Sequence, residues 1–157
     1  MMSLHQLEGK DNLFVIACNK CFKEFETVDE PDCDEFLKFA AEQGKNVTGS
    51  AKLDFLCNKM HTENKLQDLI PEGTENVVVI SCGLGIQTVA DLAGKPVIAA
   101  SNTLNYRGHH GMALTKKSCD ACAQCYLNVT GGVCPIVDCS KSLVNGQCGG
   151  AKNGNVK

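Results

Sequence analysis

The sequence has no excess of either charge, no long apolar run and no repeat of fixed period. Its 15 Lys and Arg against 18 Asp and Glu leave a net charge of -3. With both signs dispersed, that gives no electrostatic footprint for nucleic acid. No apolar stretch approaches the roughly 18 residues of a membrane span, so no membrane insertion is expected. Met1 to Lys10 are polar and lack the apolar segment of an export signal, which implies a cytoplasmic setting. At 157 residues the chain can build one domain with a real core. It is too short for a flavin-bearing (β/α)₈ barrel, which takes about 250 residues. Nor does it present an acid–base constellation, so catalysis by this chain alone is not expected.

What it has in abundance is cysteine, 11 residues in all. The odd number, the polar start and the long apolar segments upstream count against a disulfide scaffold. In a reducing compartment, clustered thiols serve metal or redox chemistry instead.

Leu13 to Cys18 and Val77 to Cys82 are continuous apolar runs, the pattern of strands buried on both faces of a parallel sheet. Pro96 to Ser101 reads the same way, and Asn46 to Ser50 is a weaker fourth strand. Helical stripes lie between them. Phe36, Phe39 and Ala40 precede Gly44; Leu53, Leu56, Cys57 and Met60 follow Ser50 and stop before Pro71; Ile86, Val89, Ala90 and Ala93 end at Gly94. The expected fold is α/β, a small Rossmann-like parallel sheet of about four strands joined by right-handed crossovers, with a C-terminal cysteine-rich metal-binding extension. The boundaries read as an α/β domain over 1–101, a connector loop over 102–117, and the extension over 118–157. Ala151 to Lys157 read as a loose tail.

Parallel sheets place their sites at the carboxyl ends of strands. Cys18 ends the first strand, Cys21 follows in the next loop, Cys82 ends the third, and Cys57 falls in the opening turns of the second helix. Four thiols distant in sequence therefore converge on one rim, as a 4Fe-4S cluster requires. Gly83 and Gly85 would keep backbone N–H groups close to the cluster sulfurs. The alternative is that Cys57 and Cys82 are small buried hydrophobes.

Six more cysteines follow at Cys119, Cys122, Cys125, Cys134, Cys139 and Cys148. The compressed run from Cys119 to Cys125 suits the corners of an iron–sulfur cube, and Pro135 after Cys134 repeats the Cys-Pro step that closes the bacterial ferredoxin ligand run. Cys119, Cys122, Cys125 and Cys134 are the ferredoxin-like choice, while Cys139 and Cys148 replace one of them or support a zinc. A zinc ribbon that only holds the fold is the competing reading.

Other features carry less. Gly83-x-Gly85 opens like a dinucleotide fingerprint, but Thr88 stands where the third small residue belongs, and Ser101, Asn102 and Thr103 stand where an acidic residue belongs. Cys33, among Asp32, Asp34 and Glu35, reads as a thiol without catalytic work. His109 and His110 offer a further ligand or a group titrating near a redox centre, but adjacent histidines in a glycine-flanked loop more often face solvent. Lys141 stands in a turn where it would soften cluster charge or simply face water.

The stretch Thr130 to Gly150 resembles the cysteine-rich methylenetetrahydrofolate reductase C-terminal domain. Cys18-x-x-Cys21, Cys57 and Ser81 to Ala90 extend the likeness upstream, and the whole chain resembles the MetV-type small subunit of bacterial methylenetetrahydrofolate reductases. The resemblance implies an electron-transfer subunit, with two 4Fe-4S clusters or zinc in the extension. Its implied partners are a low-potential electron donor protein and the flavin-containing barrel of a MetF-type subunit, which would itself reduce methylenetetrahydrofolate. A zinc-binding assembly subunit of the same complex, without a redox role, is the alternative.

Overall fold

The computed structural model describes residues 7–20, 33–103, 119–139, 150–152 and 155–156. Its centre is a four-stranded parallel sheet of β1 (Leu13–Cys18), β2 (Val47–Leu53), β3 (Asn76–Ile80) and β4 (Val97–Ala99), in the order β2-β1-β3-β4. The helices α1 (Cys33–Glu42), α2 (Lys59–Leu69) and α3 (Gly83–Leu92) fill the crossovers. The α/β architecture expected from the alternation of apolar runs and helical stripes is the one observed. The C-terminal residues add a small antiparallel pair, β5 (Ala151–Lys152) and β6 (Asn155–Val156), where the sequence suggests a loose tail.

All residues of β1, β3 and β4 are buried, because helices cover both faces of the sheet. Alternation along the strands sorts their side chains into two cores. Phe14, Ile16, Cys18, Val77, Val79, Val97 and Ala99 face Leu66 of α2 with Ile86 and Val89 of α3. Leu13, Val15, Ala17, Val78, Ile80 and Ile98 face Phe36 and Ala40 of α1, together with Leu7 and Cys33. Cys33 is thus packed in the second core.

Asp34 and Glu35 complement the dipole at the start of α1. Gly44, at φ +66°, lets the chain turn out of α1, with its N–H bonded to the Ala41 carbonyl at 2.9 Å. The second helix departs from the sequence pattern. Pairing with β1 carries β2 through Leu53, so Leu53 lies in a strand and the helical stripe expected from Leu53 to Met60 is broken. Phe55 then adopts a left-handed φ of 52°, and Asn58 caps α2 by accepting the His61 N–H at 3.2 Å. Cys57 therefore sits in the turn before α2, not in its opening turns, and Met60 is 72% exposed.

Residues 119–139 of the extension are part of this body. Leu127 is buried in the core under α2 and α3, with Cys125 and Cys134 packed against it. The Asn128 amide accepts the Ala99 N–H at 2.5 Å and donates to the Ala99 carbonyl at 2.7 Å, taking the place of a neighbouring strand beyond β4. No helix among the described residues is long and apolar enough to cross a membrane.

Candidate metal centre

In this strand order the chain leaves β1 toward β2 on one side, then returns to β3 on the other. The crevice between the carboxyl ends of β1 and β3 is the switch point, where such sheets place their ligands. Cys18 closes β1 and Cys82 lies two residues beyond β3, so both thiols flank that crevice.

Cys57 reaches the same place through its turn. Asn58 N–H bonds to the Phe55 carbonyl at 2.8 Å, and the buried Thr62 hydroxyl donates to the Leu56 carbonyl at 3.0 Å. Asn19 ties the exit of β1 to this turn, its amide 3.2 Å from Asp54 Oδ1. Gly85 completes the fit: a Cβ there would lie 3.0 Å from Ser81 Cβ and 3.2 Å from Leu56 Cβ, so only glycine lets α3 lie this close to the residues preceding Cys82 and Cys57.

Burial pushes the Cys82 thiol above its ordinary pKa, and the nearby Cys18 and Cys57 push it further. The N–H groups of Gly85 and Leu84 pull it down, although neither makes a full capping hydrogen bond to the sulfur. Three thiols gathered at the first turn of a helix repel as thiolates unless a cation joins them, while the backbone there offers N–H groups to negative sulfur.

The late thiols form a second group. Cys125 is raised first by burial and then by Cys119, Cys122 and Cys134, against the Leu127 N–H, which lowers it. These are the four residues that the ferredoxin-like spacing selects. The loop winds tightly around Cys122, since Ala121 and Ala123 on either side of it both take left-handed φ values, 49° and 59°. Each costs an L-residue about 1–2 kcal/mol, which some other interaction of the loop must offset. Within the loop, Ala121 N–H points at Cys119 Sγ at 3.5 Å and Cys122 Sγ donates to the Gln124 carbonyl at 3.4 Å.

The two groups touch. A Cβ on Gly83 would lie 2.8 Å from Cys119 Sγ, so Cys119 packs directly on the residue that follows Cys82. Cys139 is half-buried at the end of the same stretch, while Cys21, Cys148, His109, His110 and Lys141 lie outside the described residues. None of the described cysteines is in a disulfide. Among the described residues no three His, Cys, Asp or Glu side chains are arranged to hold a metal ion. The thiols are gathered by fold rather than closed around a point. In donor chemistry the set fits a thiophilic metal or cluster: soft sulfur ligands, buried, with backbone N–H groups beside them.

Some residues at the centre carry no signal of their own in the sequence. Ser101 and Thr103, notable there only as non-acidic, grip the backbone on either side of Cys82. Asn128 and Gly132 fasten the extension, the latter at φ +88° with its Cα against Ala90 of α3.

The arrangement defines an α/β protein with a thiol-lined rim and a cysteine-rich lobe seated on it. Residues 98–157, from β4 through the whole late cysteine run, match the family model described as methylene-tetrahydrofolate reductase C terminal. No curated protein and no solved structure matches the chain.

Proposed function

We propose that the chain is an iron–sulfur electron-transfer subunit of the MetV type. It would carry electrons from a low-potential donor protein to the flavin of a separate MetF-type barrel, where methylenetetrahydrofolate becomes methyltetrahydrofolate. The observation that carries this reading is the contact of Cys119 with Gly83, which lays the late thiols beside Cys82. A purely structural metal staple has no need of a second thiol set against the first.

Cys18, Cys21, Cys57 and Cys82 would hold one 4Fe-4S cluster, and Cys119, Cys122, Cys125 and Cys134 a second, with Cys139 and Cys148 as further donors. Bound there, the clusters supply the one-electron chemistry that thiols alone lack. The chain's own residues do the rest. The N–H groups of Leu84, Gly85 and Leu127 favour negative charge on Cys82 and Cys125. Leu56 and Leu127 keep water from the inner side of both sets.

Iron and acid-labile sulfide measured on anaerobically purified protein test the reading, with two clusters per chain expected. Zinc without sulfide would replace it with a zinc-binding assembly subunit. Co-purification with a flavin-containing barrel tests the partner separately.

A further inference from the structure

We propose that Ser101 and Thr103 are positioning residues that clamp the backbone on both sides of Cys82 and fix how its sulfur is presented. The proposal rests on the reading that Cys82 is a metal ligand, but its geometry stands without it.

Ser101 Oγ accepts the Ser81 N–H at 3.1 Å and donates to the Ser81 carbonyl at 2.7 Å. Thr103 Oγ1 accepts the Gly83 N–H at 2.7 Å. Three hydrogen bonds therefore hold the two residues that bracket Cys82, which itself sits at φ -67° and ψ 164° as the cap of α3. It is the backbone of Ser81 that is held, since its own hydroxyl is buried with no hydrogen-bond partner among the described residues and faces Gly85.

The clamp also divides the free N–H groups at the start of α3. A helix leaves its first N–H groups without intrahelical partners, and here the first such bond runs from Ile86 N–H to the Cys82 carbonyl at 3.0 Å. Thr103 takes up the Gly83 N–H, which leaves the Leu84 and Gly85 N–H groups for the sulfur. Hydrogen bonds to ligand sulfur help set the reduction potential of an iron–sulfur centre, so removing the Thr103 acceptor frees a third donor beside Cys82. Added donors stabilise the more negative, reduced state.

The test compares Thr103→Val with Thr103→Ser and the wild type, using the full chain. The first measurement is the alkylation rate of Cys82 in metal-free, reduced protein, followed by peptide mass spectrometry. Thr103→Val is expected to speed alkylation about fivefold, the factor matching one typical net hydrogen bond, while Thr103→Ser stays at the wild-type rate. The second is the midpoint potential of the reconstituted centre, expected to rise in Thr103→Val and to return to the wild-type value in Thr103→Ser. A folded Thr103→Val with wild-type alkylation and potential would overturn the clamp, as would an equal change in Thr103→Ser, which would mean that the methyl group mattered. If Thr103→Val does not fold, Thr103→Ala removes the same acceptor and Ser101→Ala the other arm. Should the wild type hold no metal at all, the electron-transfer reading fails while the alkylation rates still decide the clamp.

Discussion

Cys119 rests its sulfur on Gly83, the residue after Cys82, so that a single added methyl group there would stand 2.8 Å from that sulfur. Gly83→Ala should therefore act on the late thiols more than on the sheet. Its backbone is helical, alanine favours helix over glycine by about 1 kcal/mol, and the atom in the way is a side-chain end that can rotate. The expected outcome is a thermal midpoint close to wild type with reduced metal retention by the late set. Spectra of the loaded variant check it; unchanged metal content would mean that Cys119 need not lie against Gly83 when metal is bound.

Gly85→Ala is expected to behave differently. Its Cβ would meet Ser81 Cβ at 3.0 Å and Leu56 Cβ at 3.2 Å, atoms fixed to the backbone that cannot swing aside. Overpacking of this kind costs about 1–3 kcal/mol. Chemical denaturation of the two glycine variants side by side should show Gly85→Ala clearly less stable, and equal stabilities would count against rigid packing of α3 on the turn before Cys57.

The contrast between these glycines bears on what could be read from the chain. Continuous runs such as Leu13–Cys18 announced buried parallel strands, and the strand-end rule placed Cys18 and Cys82 on one rim, because burial and strand polarity are local in sequence. The setting of Cys57, in a turn and not in the opening turns of α2, was not legible, since the length of β2 depends on pairing with β1 and not on its own sparse apolar residues. The docking of Cys119 on Gly83 and the grip of Ser101 and Thr103 were also invisible. Each joins residues about 20 or more positions apart through a single close approach, which leaves no periodicity behind.

Leu127 decides whether the cysteine-rich segment is an appendage or part of the core. It is 3% exposed among Leu66, Ile86, Val89 and Ala99. Leu127→Ala should destabilise the whole protein by about 2–5 kcal/mol, with one cooperative transition. Two separate transitions, with the sheet melting as in the wild type, would instead show that the lobe unfolds independently.

Asn128 joins the same segment to the sheet by a different means. Its amide presents one acceptor and one donor to Ala99, satisfying both backbone groups that Ala99 turns to the open side of β4. No apolar residue can imitate that, and leaving a buried N–H and carbonyl unpaired costs about 1–3 kcal/mol per group. Asn128→Asp keeps the acceptor but loses the donor, placing a carboxylate oxygen against the Ala99 carbonyl, so it should be no better tolerated than Asn128→Ala. The measurement is hydrogen exchange at the Ala99 amide. In Asn128→Ala that amide should exchange markedly faster, while Val77 and Val78 in the central strand keep their protection. Protection retained at Ala99 would mean that water or another residue closes the β4 edge, and that the lobe is held there by Leu127 alone.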